Sequence, residues 1–157
     1  MPAGHDPGRG STSLEVFVNT EAHPTAPKDL VELAVRHALA ETGGAVGEIS
    51  ITLLADPDMS ELNRLYLDRD RPTDVIAFSL GEEDRVLGDV YIGVDQARRQ
   101  ADEHGIDLAE ELVRLAIHGT LHLMGHEHPG GEERSASPMF VLQERLVNEL
   151  MGEGKSR

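Results

Sequence analysis

His118, His122 and His128 fall within the run His-Gly-Thr-Leu-His-Leu-Met-Gly-His-Glu-His, and their spacing is that of a three-histidine metal site. Residues four apart on a helix share a face, with Cβ atoms about 5–6 Å apart, so the first two imidazoles can reach one ion. Gly125 then lets the chain turn, and three residues later His128 can swing back as a third ligand. A tetrahedral zinc held in this way keeps one position open for water, whereas structural zinc sites usually close with four protein ligands. Three neutral imidazoles also suit nickel, copper or iron, so the ligand types alone leave the metal open.

The residue after the first histidine separates two enzyme classes. A zinc peptidase of the His-Glu-x-x-His type carries its general base there, and here the position is Gly119. Lacking that carboxylate, a metzincin-like metallopeptidase is disfavoured, unless a nearby acid replaces the missing proton acceptor. Glu127 is the weak candidate for that catalytic part, and it reads equally well as a partner that orients an imidazole. His126 reads as a loop histidine.

The chain has 157 residues, enough for one domain with its own apolar core. It contains no cysteine, so neither a disulfide framework nor a thiolate metal site exists, which fits a reducing cytoplasm. No run approaches the ~20 apolar residues that cross a bilayer, and no membrane partner is expected. The formal net charge of -15 repels polyanions at long range, so a nucleic-acid substrate needs a local basic surface.

Residues 1–13 are rich in Gly, Pro and Ser and read as a disordered extension, with a domain over 14–152 and a short tail at 153–157. Alternation of Leu14, Val16 and Val18 predicts a first strand. Leu30, Leu33, Ala34, His37 and Ala38 predict a helix between Pro27 and Gly43, followed by a strand over Glu48–Leu54. Asp58 and Glu61 form a capping-box pair that predicts a helix from Met59 to Leu67. The apolar run Val75–Phe78 reads as a central strand covered on both faces. A further strand is expected over Val90–Val94, with Asp95 capping a helix from Gln96 to His104.

Asp107 and Glu110, as another capping box, predict a helix reaching Met124 that carries the first two histidines. Ser137-Pro138 predicts the start of a last helix, with Phe140, Leu142, Leu146, Val147 and Leu150 on its apolar side. Four strands and about five helices in one domain make an α/β or α+β fold around a mixed four-stranded sheet, with the histidine site on a helix and the turn after it.

The pattern His-Gly-x-Leu-His-Leu-x-Gly-x-acid-His resembles that of the YbeY family, endoribonucleases and ribosomal RNA maturation factors. Asn63 and Tyr66, Asp70-Arg71-Pro72-Thr73-Asp74-Val75, Phe78, Leu87-Gly88-Asp89, and Gln143 with Glu144 resemble further blocks of that family, so the resemblance spans about Leu14 to Leu150. It implies a cytoplasmic hydrolase that binds one Zn2+ through His118, His122 and His128. It also implies cutting of single-stranded RNA, action in 16S rRNA 3′-end maturation and ribosome quality control, and partners on the small ribosomal subunit. Leu67 stands where the family usually has an RNA-holding arginine, Ala77 where it has serine, and Glu127 where aspartate is more usual. Arg69 and Arg71 are the nearby candidates for substrate-binding charge, or else a solvated turn neutralised by Asp68 and Asp70. A ribosome-assembly binding factor with a structural metal is the alternative from another class.

Overall fold

The computed structural model describes residues 13–43, 46–67, 73–80, 85–125 and 137–152. Among them are strands β1 (Leu14–Asn19), β2 (Gly47–Leu54), β3 (Val75–Ser79) and β4 (Val86–Gly93). The helices are α1 (Lys28–Thr42), α2 (Asp56–Leu67), α3 (Val94–His104), α4 (Leu108–Leu123) and α5 (Pro138–Met151). One mixed sheet has the order β1-β2-β4-β3, with β1, β2 and β4 parallel and β3 antiparallel to β4. This is the mixed four-stranded α+β architecture expected from the sequence. No helix among the described residues is long and apolar enough to cross a membrane.

The strands bury alternate residues, so one face of the sheet carries Ile49, Ile51 and Leu53 from β2 with Val90 and Ile92 from β4. Onto this face pack α1, through Val31, Ala34, Val35, Ala38 and Leu39, and α4, through Leu112, Ile117 and Leu121. Helix α4 also touches α3, α5, β3 and β4. It is buried around most of its circumference, as a helix apolar on nearly every side must be. The opposite sheet face meets α2, where Tyr66 contacts Phe78 edge-on at 5.2 Å, and leaves Phe17 and Leu87 exposed.

Several local expectations are corrected. Strand β3 is an edge strand, because among the described residues it pairs with β4 alone. Its run is apolar because Val75 and Ala77 pack toward the core while Phe78 meets α2. Helix cover on both faces does not distinguish an edge from a centre. Strand β4 begins at Val86, ahead of Val90, and Val94 already belongs to α3.

Asp58 does not start α2. The helix begins at Asp56, whose N–H donates to Asp95 Oδ2 at 2.8 Å, so its cap comes from α3. Asp95 lies inside the first turn of α3, which Gly93 precedes with no side-chain cap. At α4, Asp107 does take the N-cap position, but no side-chain cap bond forms and Glu110 instead pairs with Arg114. The Ser137-Pro138 start of α5 is as expected, with Phe140 N–H donating to Ser137 Oγ at 3.1 Å. Left-handed Gly43 and Gly105 end α1 and α3.

Since Asp95 caps α2 from another helix, Asp95→Ala should cost about 1 kcal/mol in urea unfolding. Asp58→Ala should cost only the ~0.3 kcal/mol of a first-turn carboxylate beside the helix dipole. Equal losses from the two variants would contradict this assignment of the cap.

Candidate metal and nuclease site

Helix α4 presents His118 and His122 from successive turns, with ring centroids 4.7 Å apart and planes inclined at 77°. The helix can lie this close to the sheet because residue 119 is glycine. A Cβ there would stand 2.6 Å from Val90 Cγ1 and 3.3 Å from Val75 Cγ2, closer than packed carbons approach. Nearby, a Cβ at Gly88 of β4 would meet Leu123 Cδ2 at 2.7 Å and the Phe78 carbonyl oxygen at 2.7 Å. The two glycines therefore seat the C-terminal half of α4 on β3 and β4, and the position a peptidase glutamate would take is closed to any side chain.

His118 is buried, and its Nδ1 lies 2.6 Å from Oε1 of Gln143 on α5. An amide oxygen only accepts, so Nδ1 is the donor in this contact. His122 is half-buried and opens onto a groove of about 420 Å3, whose wall is Val75 to Ser79 of β3 together with Leu123. The expected turn after α4 is present: Gly125 has a φ of +90°, and its N–H donates to the His122 carbonyl at 3.0 Å. His128, Glu127, His126, Arg69 and Arg71 all lie outside the described residues. No group of three potential ligands gathers among the described residues, which include only the first two histidines of the expected trio.

The donor set of those two histidines fits a borderline divalent metal. Both are imidazoles on one helical face, and the first is oriented through Nδ1 by a buried amide. Gln143 is the site residue that periodicity alone did not assign a role. Its signal was there: the buried face of α5 is Met139, Gln143, Leu146 and Val147, a stripe with one polar member. Phe140 and Leu142, expected on that stripe, are only half-buried.

Behind the histidines, Arg114 braces α4 against α5. Its Nε and Nη2 donate to the two carboxylate oxygens of Glu144 at 2.9 and 3.0 Å, and it also reaches Glu110 and Glu111 at 3.1 Å each. Burial alone would lower the Arg114 pKa, but these carboxylates hold it above the ordinary arginine value. Burial likewise pushes Glu144 up, yet hydrogen bonds from Arg114 and Gln143 hold it below the usual glutamate range.

Residues 16–151 match the family described as endoribonuclease YbeY. The chain belongs to the YbeY endoribonuclease family. Among YbeY relatives, the endoribonuclease YbeY of Persephonella marina is 40% identical, covering 86% of this chain and 92% of its own. That of Bacillus licheniformis is 39% identical, covering 88% and 94%. The solution structure of TM1509 from Thermotoga maritima superposes with a TM-score of 0.63 at 29% identity, covering 90% of this chain and 92% of its own. Ala77 brings a methyl group to the groove wall.

Gly119→Ala should lower stability by about 1–2 kcal/mol in chemical unfolding. The ~1 kcal/mol gained in helix propensity is outweighed by overpacking against Val90, a stiff and fully buried neighbour. An unchanged or raised unfolding midpoint would contradict the close approach.

A second prediction concerns acid. Because the native Glu144 binds its proton at a lower pH than the unfolded chain does, the stability it contributes is complete above the unfolded pKa. It is lost as pH falls through the native one. Wild type should therefore lose stability more steeply than Glu144→Gln as pH drops below about 4.5, the ordinary glutamate value.

Proposed function

We propose that this chain is a zinc-dependent endoribonuclease that cuts single-stranded RNA and acts in 16S rRNA 3′-end maturation and ribosome quality control in the cytoplasm, with partners on the small ribosomal subunit. The observation that carries the reading is the paired imidazoles of His118 and His122 on α4, the first held through Nδ1 by Gln143. His128, three residues beyond the Gly125 turn, is the proposed third ligand. One Zn2+ bound by the three would lower the pKa of water toward about 7 and polarise a phosphoryl oxygen.

The chain's own side chains do the rest. Gln143 keeps the His118 ring oriented, so the ligand does not rotate away from its task. The groove wall of β3 gives a narrow bed beside His122, suited to one unpaired strand. Glu127 is the proposed proton acceptor or imidazole partner, and Arg69 and Arg71 are the proposed phosphate contacts. Those arginines matter because the net charge of -15 works against any polyanion at long range.

An edge strand beside a histidine pair is also a place where an extended peptide can add by strand pairing, which favours the peptidase as a second reading. Gly119 counts against it, since no carboxylate fits there.

The test is a purified protein assayed for bound metal and for cleavage of single-stranded and duplex RNA, with and without chelator. One zinc per chain and chelator-sensitive cutting of the single strand are expected. His118→Ala and His122→Ala should each reduce cutting by more than about 100-fold, exceeding the usual loss from a residue that only supports a ligand. If His122→Ala keeps its fold and cuts RNA normally, the catalytic-zinc reading fails, whereas a wild type that binds metal yet cuts no RNA points to the binding-factor alternative. Chelator-sensitive cleavage of an unfolded protein substrate would restore the peptidase.

A further inference from the structure

The hydrogen-bond chain behind His118 runs beyond its first partner. Gln143 accepts from His118 Nδ1 with Oε1 at 2.6 Å and donates from Nε2 to Glu144 Oε2 at 3.0 Å. Glu144 in turn receives both prongs of Arg114 at 2.9 and 3.0 Å. Arg114 is itself secured on α4 by Glu110 and Glu111, and Glu111 accepts a further bond from Gln100 Nε2 of α3 at 2.7 Å. Three helices therefore contribute to one polar line that ends at the histidine ring.

The direction of every bond in this line follows from its far end. A guanidinium only donates, and an ionised carboxylate only accepts. Glu144, paired twice with Arg114, therefore must receive the NH2 group of Gln143. The amide then has no choice but to turn its oxygen toward His118. Were the amide flipped, its NH2 would face Nδ1, the ring would carry its proton on Nε2, and the nitrogen needed for a metal would be blocked.

We infer that Glu144 and Arg114 are positioning residues that set the tautomer of His118 by fixing which way the Gln143 amide faces. The ion pair thus does more than join α4 to α5. A half-buried pair of this kind is a weak source of net stability because of its desolvation cost, and orientation of a ligand is a return that packing alone does not give. The inference rests on the proposed metal role of His118, but the tautomer can be read without any metal.

Long-range 1H–15N correlation spectra of the metal-free protein at neutral pH report the tautomer directly. His118 should carry its proton on Nδ1 in the wild type. In Glu144→Met, which removes the acceptor, the two tautomers should mix, and zinc affinity in competition with a chromophoric chelator should fall about 10- to 100-fold. Glu144→Gln retains a carbonyl oxygen able to serve both Arg114 and Gln143, so its affinity should stay within a few-fold of wild type. A proton on Nε2 of His118 in the wild type overturns the inference, and that measurement needs no variant to fold. So does a folded Glu144→Met that keeps the wild-type tautomer and affinity, or a Glu144→Gln as impaired as Glu144→Met. If the wild type binds no zinc at all, the proposed function fails, while the tautomer spectra still decide this point.

Discussion

The contact of α4 with the sheet at Gly119 governs where everything else near the site can stand. Val90 is fully buried and lies within 2.6 Å of where a Cβ at position 119 would sit, so the helix axis comes closer to β4 than side chains ordinarily permit. Gly88 makes the matching approach from the strand to Leu123. With the helix seated there, His122 opens directly onto the groove beside β3. The same contact leaves no room for a glutamate after the first histidine. One steric fact thus both builds the site and closes the position where a peptidase of the His-Glu-x-x-His type carries its glutamate.

A helix buried this completely needs its polar residues satisfied inside the protein. His118, Glu111 and Thr120 of α4 are all buried, and the partners come from neighbouring helices or from the turn before. Leaving such groups without partners would cost about 1–3 kcal/mol each. The line from Arg114 through Glu144 and Gln143 to His118 therefore serves the fold and the site together. It makes α5 part of the candidate site, because the orientation of the His118 ring depends on what holds its Nδ1.

The groove beside His122 also explains the use of an edge strand. A central strand would have both of its backbone edges occupied by neighbours, leaving no open bed along it. Among the described residues β3 pairs only with β4, and its residues Val75 to Ser79 line the groove. The strongly acidic chain works against RNA at long range, so an RNA substrate needs local cations wherever it binds.

Much of this protein was legible in its sequence. The spacing of His118, His122 and Gly125, the amphipathic helices and the glycine stops are local properties, written in side-chain type and in the period of the helix, and they need no distant partner. The YbeY pattern was likewise a matter of residues in order. Other features depended on partners far along the chain. Asp58 has the chemistry of a cap, yet Asp95 supplies it from a helix about 39 positions away. Val75–Phe78 has the composition of a central strand, yet among the described residues it pairs with β4 alone. Gln143 reads as a polar interruption of α5 until α4 brings His118 against it. Local sequence determined which groups could act as ligands. Only the packing of α4 between the sheet and α5 decided that Nδ1 of His118 meets the Gln143 amide, because a hydrogen-bond direction is set by the partner and not by the residue that makes it.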